Sequence, residues 1–310
     1  MDFINFYRFI FLVILCIISY ISKKTEIQRF IDINKPITYF SKGLHEKLLF
    51  MRIGETNFNA DTNFEKSKIN KEYIDSKLNE NGVNQSITIQ QTLNSLPIEK
   101  VYVSPFYRAL QTLTYSLENH PNKNNLIAIV HPMASEVINC INDYILDIHQ
   151  TKKDFNMNSK VKVDWTLFDN YVKKIKYDEN FYYFDFFDAF EKSEKKEMYQ
   201  KLKNLYENGN INELKNGLSD LAKLRFQKEK RFESLKHAQK RFYNFVDYVK
   251  KDNKNTLYDK SSKILVVSHA FFMKIGTDSS PYEEKTQDFY NNCYDPSNCE
   301  ILCYDLTPKY

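Results

Sequence analysis

Two arginines, one histidine and one glutamate stand where apolar runs of this chain stop, and together they would suit a phosphoryl group. Arg52 closes the run at 48–51, Arg108 follows Ser104-Pro105 after Val101-Tyr102-Val103, Glu136 follows Pro132 after the run at 126–130, and His269 follows Val266-Val267-Ser268. Guanidinium forks match phosphate oxygens and stay charged at any physiological pH. Glu136 could donate a proton to a leaving oxygen, although an acidic residue at a helix start would look the same. His269 alone would read as an ordinary strand-end histidine, but its Val-Val-Ser-His context places it with the arginines. Asn59 could add an amide hydrogen bond, and Gly54 would let the backbone approach closely. Ile53, between Arg52 and Gly54, has no lone pair and sets hydrocarbon against a site built for an anion.

The elements that must position these groups follow from the hydrophobic pattern. Short apolar runs at 48–51, 101–103, 126–130, 264–267 and 300–306 read as strands. Helical spacing is found at 87–96 and 107–117, while 79–85 is polar, holds Gly82 and reads as a turn. Strands alternating with helices predict an α/β fold, a three-layer sandwich with a mostly parallel central sheet. In such sheets ligands bind beyond the C-terminal strand ends, where all four polar residues fall. Residues 137–262 form a long stretch with helical periodicity, clearest at 191–206 and 218–250, and are expected to be a helical insertion. Its aromatic run from Phe181 to Phe187, with Phe190 after it, reads as core or as a cap over the site.

At this point the chain resembles the histidine phosphatase superfamily, the phosphoglycerate mutase-like group. The family opener Arg-His-Gly-Glu-Thr-x-x-Asn stands here as Arg52-Ile53-Gly54-Glu55-Thr56-Asn57-Phe58-Asn59. Ser-Pro-x-x-Arg-Ala-x-Gln-Thr is intact from Ser104 to Thr112, and Asp75-x-x-Leu78-x-x-x-Gly82 with Gln85 is present. Glu136 matches the acidic residue, Val267-Ser268-His269 the second histidine, and Glu233-Ser234 with Arg241-Phe242 the helix before the last catalytic strand. The resemblance implies a histidine nucleophile, phosphate binding by Arg52, Asn59, Arg108 and His269, and catalysis by Glu136 and His269. The nucleophile position holds Ile53. A pseudophosphatase with an intact anion pocket is therefore one expectation. An active phosphomonoesterase using another nucleophile or direct water attack is a second, and a membrane-tethered interaction module a third.

Composition bounds the rest. The chain has 310 residues, a net charge of +4 and 27% charged residues, with acidic and basic residues interleaved. No nucleic-acid face is expected from that pattern. The five cysteines include no CxxC pair, so no metal is expected, and no cofactor. Cys293, Cys299 and Cys303 lie close enough in sequence for a disulfide, or are buried thiols. The histidines outside the motifs, at 45, 120, 131, 149 and 237, are expected on the surface. Residues 3–21 are mostly apolar and read as a signal anchor or signal peptide within 1–24. A linker at 25–45 and the phosphatase-like domain at 46–310 would follow. The expected location is membrane-anchored or in the secretory pathway. Expected partners are a phosphorylated small molecule or phosphoprotein, and the membrane through the N-terminal segment.

Overall fold

Each apolar run that ends at a polar or charged residue becomes a strand of one sheet. The computed structural model describes residues 38–39, 48–227, 231–253, 262–277 and 295–304. All of them fall in one compact unit, Ile37–Tyr310; the other unit, Met1–Pro36, lies outside the described residues. In chain order the elements are β1 (Thr38–Tyr39), β2 (Leu48–Arg52), α1 (Asn57–Ala60), α2 (Phe64–Ser67), α3 (Glu80–Thr88), α4 (Gln90–Asn94), β3 (Ile98–Val103) and α5 (Tyr107–Leu117). There follow β4 (Ile127–Val130), α6 (Ile148–Asn158), β5 (Lys162–Asp164), α7 (Thr166–Val172), α8 (Lys192–Glu207), α9 (Ile211–Gln227), α10 (Leu235–Asp252), β6 (Lys263–Ser268), α11 (Ala270–Thr277) and β7 (Ile301–Tyr304).

The sheet has seven strands in the order β1-β7-β2-β6-β3-β4-β5. Strands β2, β6, β3, β4 and β5 run parallel, while β7 is antiparallel to β2. The chain is thus an α/β protein with a mostly parallel central sheet. Alternation along the strands feeds two cores. Leu49, Met51, Val101, Val103, Leu265 and Val267 join one apolar cluster, and Leu48, Phe50, Tyr102, Ile264 and Val266 join another. Strands buried on both faces explain why these runs are continuously apolar. The aromatic run lies in the first cluster: Phe181, Tyr182, Tyr183 and Phe184 are buried there, as core.

Several expectations change. Residues 80–88 are helical, because the Asn79 side chain caps α3 by accepting from the Gly82 N–H; the polar stretch that reads as a turn is a capped helix start. The 137–262 stretch contains β5, which extends the sheet beside β4. His120 and His131 are buried, against the surface positions expected, while His45 lies outside the described residues. Each is held by hydrogen bonds: His120 Nδ1 accepts from the Asn122 N–H and His131 Nδ1 from the Met133 N–H. Cys140 and Cys299 are buried free thiols, and Cys293 lies outside the described residues. Among the described residues no helix is long and apolar enough to cross a membrane. That finding overturns the membrane-anchored or secretory-pathway location; the apolar segment at 3–21 that prompted it lies outside the described residues.

Candidate functional site

The parallel strands deliver their C-terminal ends to one edge, and a pocket of ≈130 Å³ opens there. All six residues singled out from the sequence line it: Arg52, Ile53, Asn59, Arg108, Glu136 and His269. Arg52 is the last residue of β2, His269 follows β6, Arg108 lies in the first turn of α5, and Glu136 follows a one-turn 3-10 helix, Pro132–Ala134, after β4.

The first segment is braced from three sides. The Gly54 N–H donates to Thr112 Oγ1 at 3.0 Å, and the Glu55 N–H donates to Gln85 Oε1 at 2.9 Å. Asn59 forms a capping box with Thr56, its Oδ1 accepting from the Thr56 N–H at 3.3 Å and the Thr56 hydroxyl at 2.9 Å. An amide nitrogen could not accept those bonds, so the Asn59 orientation is settled, and Nδ2 is its remaining donor. Ile53 is 4% exposed and belongs to the first apolar cluster while also lining the pocket.

Arg108 is 1% exposed. Its Nη1 donates to the Asn142 carbonyl at 2.6 Å, its Nη2 to Asp143 Oδ1 at 3.2 Å, and its guanidinium lies 4.5 Å from the Phe106 ring centre. Phe106 meets the His269 ring edge-on at 5.2 Å. Arg52 donates through Nη1 to the Pro296 carbonyl. Burial lowers the Arg52 pKa, against the upward pull of Asp295, Glu136, Cys299 and Glu300.

His269 is buried, with Nε2 2.8 Å from Ser104 Oγ. Burial first, and then the charges of Arg108, Arg241 and Arg52, hold its pKa well below the usual imidazole value, so the ring is neutral at pH 7. Glu136 accepts from the backbone N–H groups of Val137 at 2.9 Å, Phe272 at 2.9 Å and Phe271 at 3.2 Å, the last two opening α11. Burial, helped by the Asp143 charge, pushes its carboxyl up to about 7. A carboxyl at that value can hold or release a proton near neutrality.

Sequence reasoning missed Asp143, Asn142, Asn139 and Cys140, which also line the pocket. They sit at a one-turn 3-10 helix, Ile141–Asp143, and the residues before it, too short to carry a periodic pattern, and the signal that finds Asp143, its ion pair with Arg108, spans 35 residues. Phe106 carried a weak signal, as the residue after Ser104-Pro105.

Strand order and parallel register define an α/β protein with a polar pocket at the C-terminal edge of its sheet. Residues 48–152 match the family model described as histidine phosphatase superfamily (branch 1). Over that stretch, about a third of its length, the chain is similar to the histidine phosphatase superfamily. A probable phosphatase of Schizosaccharomyces pombe is 30% identical over 98 residues, 31% of this chain and 43% of that protein. The chain thus spans less than half the length of that curated relative. Among solved structures, the chain is similar to the phosphoserine phosphatase of Entamoeba histolytica in complex with 3-phosphoglyceric acid, at 15% identity, 82% and 88% coverage of the two chains and a TM-score of 0.38. It is also similar to the ecdysone phosphate phosphatase of Bombyx mori in complex with tungstate, at 14% identity, 82% and 86% coverage and a TM-score of 0.42. At these scores neither overlay bears on the chemistry.

Proposed function

We propose that this chain binds the phosphoryl group of a phosphorylated small molecule or phosphoprotein in the pocket at the sheet edge, and that as a phosphatase it is catalytically impaired. One observation carries the binding half. Arg52 Nε, Arg108 Nε and His269 Nδ1 are all buried without a hydrogen-bond partner, and all three residues line the one pocket. Buried polar groups in folded proteins are nearly always paired. Two guanidinium N–H groups and an imidazole nitrogen left over around one pocket are supplied with lone pairs by a tetrahedral oxyanion. Arg52, Asn59 Nδ2, Arg108 and His269 would hold it, and Glu136 would face the leaving oxygen. The similarity to a probable phosphatase of Schizosaccharomyces pombe supports the ligand class.

Impairment rests on Ile53. An alkyl side chain cannot accept a phosphoryl group, so the covalent intermediate that the superfamily resemblance implies has no attachment point there. His269 does not replace it. Ser104 Oγ already accepts from the Phe106 N–H at 3.5 Å. We assign its hydroxyl hydrogen to His269 Nε2, 2.8 Å away, which puts the ring proton on Nδ1, a donor and not a nucleophile. One observation favours the alternative of an active phosphomonoesterase attacked by water directly: the Glu136 carboxyl near 7 remains a competent acid or base.

The test compares the full chain with Ile53→His on p-nitrophenyl phosphate at pH 6. Wild type should turn over negligibly and give no acid-labile phosphohistidine, and Ile53→His should gain both. Wild-type turnover that is abolished by Glu136→Gln would establish the alternative instead. Orthovanadate should raise the Tm of wild type but not of Arg108→Ala; no shift in wild type would remove the binding half.

A further inference from the structure

Resting on that reading of the pocket, we infer that it takes its phosphate ligand as the monoanion, carrying one negative charge as a protonated monoester does, and not as the dianion. The pocket lining holds two permanent cations, Arg52 and Arg108, and two carboxyl groups, Glu136 and Asp143. Asp143 sits on Arg108 itself, with Oδ1 3.2 Å from Nη2.

Its other oxygen, Oδ2, accepts from the N–H groups of Asn139 and Cys140 at 3.0 Å each and from the Cys140 thiol at 3.3 Å. Burial raises the Asp143 pKa. Even so, three of its four neighbours, the Arg108 guanidinium and two backbone N–H groups, can only donate, and the fourth, a thiol, accepts only weakly, which is an arrangement for the ionised form. Arg108 and Asp143 therefore form a closed neutral pair.

What remains is Arg52 against Glu136, with Asp295 and Glu300 also acting on Arg52. His269 adds no charge, because burial first, and then the charges of Arg108, Arg241 and Arg52, keep its ring neutral. Ile53, on the same wall, adds none. The pocket carries at most one net positive charge with Glu136 protonated, and none with it ionised. Seating a dianion there buries an uncompensated charge, which in low dielectric is costly. A monoanion beside a protonated Glu136 leaves the site neutral. The three orphaned N–H groups ask only for oxygen lone pairs, and the monoanion's two unprotonated oxygens supply four.

The experiment titrates the full chain by calorimetry at pH 8 with dimethyl phosphate, a monoanion, and methyl phosphate, a dianion at that pH. Dimethyl phosphate should bind at least ~10-fold more tightly. Asp143→Asn should reverse the order, by restoring a free charge on Arg108. Tighter binding of methyl phosphate to wild type, or an unchanged order in Asp143→Asn, overturns the inference and leaves the anion pocket standing. If Asp143→Asn does not fold, wild type decides alone. Methyl phosphate becomes a monoanion near pH 5, so its affinity should rise from pH 8 to pH 5 by more than that of dimethyl phosphate, and an equal or smaller rise overturns the inference. Binding of neither probe at either pH removes the parent reading itself.

Discussion

All five N–H groups of Arg241 are engaged. Nε and Nη2 grip Glu233 at 2.8 Å each, Nη1 donates to the carbonyls of Met133 and Ser135 at 2.8 Å, and Nη2 reaches the Glu136 carbonyl at 3.3 Å. Burial would push the Glu233 carboxyl up, but the Arg241 charge and hydrogen bonds and His237 hold it below its usual value. One side chain from α10 thus fixes the loop that carries Glu136, a task that a point-charge ammonium could not perform. Ser104 plays the same part for His269 through a single bond. Ser104→Ala removes the hydroxyl that fixes the ring's tautomer while leaving its burial unchanged. The expected result is a loss of about 1 kcal/mol in phosphate affinity. Nitrogen NMR of His269 should show a protonated Nδ1 in wild type and a mixture of tautomers in the variant. Mixed tautomers already in wild type would sink the assignment of Nδ1 as a donor.

At the scale of elements, two glycines press α3 against the segment after β2. A Cβ on Gly54 would lie 2.6 Å from the Gly82 carbonyl oxygen, and one on Gly82 only 2.0 Å from the Glu55 carbonyl oxygen. Both obstacles are backbone, so neither can swing aside. Asn79 completes the joint, with its N–H on the Glu55 carbonyl at 3.0 Å and its Nδ2 on Glu55 Oε1 at 2.9 Å. Gly82→Ala should therefore push the segment off its seat, costing about 2–3 kcal/mol in urea unfolding and weakening orthovanadate binding together with it. Full vanadate affinity in a destabilised Gly82→Ala protein would separate the brace from the site. This joint also marks what a sequence can reveal. The strand ends at Arg52, Ser104 and His269 are legible because buried parallel strands are uninterrupted apolar runs, and a polar residue after such a run marks the ligand edge. Gly82 inside a polar stretch reads as a turn, since nothing local distinguishes a glycine needed for close approach from one needed for a bend. Lys162–Asp164 is a strand only because β4 lies beside it, and three residues carry no period. Asp143 is illegible for the same reason: its meaning lies in Arg108, far away along the chain.

For the molecule as a whole, the sheet's two faces differ in how their stability depends on acid. On the face of the second apolar cluster, His131 is 3% exposed and packed among Tyr102, Phe245 and Tyr248, with ring centres 6.2, 4.8 and 4.8 Å away. Its Nδ1 lone pair caps the turn at Pro132 by accepting from the Met133 N–H at 3.1 Å. Protonation would break that cap and put a cation among aromatic rings, so burial lowers the pKa to about 3, with only Asp252 pulling the other way. The unfolded chain protonates this histidine near 6.5 and the folded chain does not until about 3. Its contribution is therefore complete above pH 6.5 and is lost as the pH falls toward 3. Asp75 has the opposite slope: burial first raises its carboxyl to about 7, against Arg108 and the Tyr107 N–H, so that its penalty grows as the pH rises from about 4 to 7. The two trends offset each other between pH 4 and 6.5, and total stability there conceals both. His131→Asn keeps an acceptor for the cap and removes the titration. The wild-type advantage in urea unfolding should shrink by up to about 1.4 kcal/mol per pH unit from pH 6.5 to pH 4. A difference between the two proteins that does not change over that range would mean that His131 is not held neutral by its surroundings.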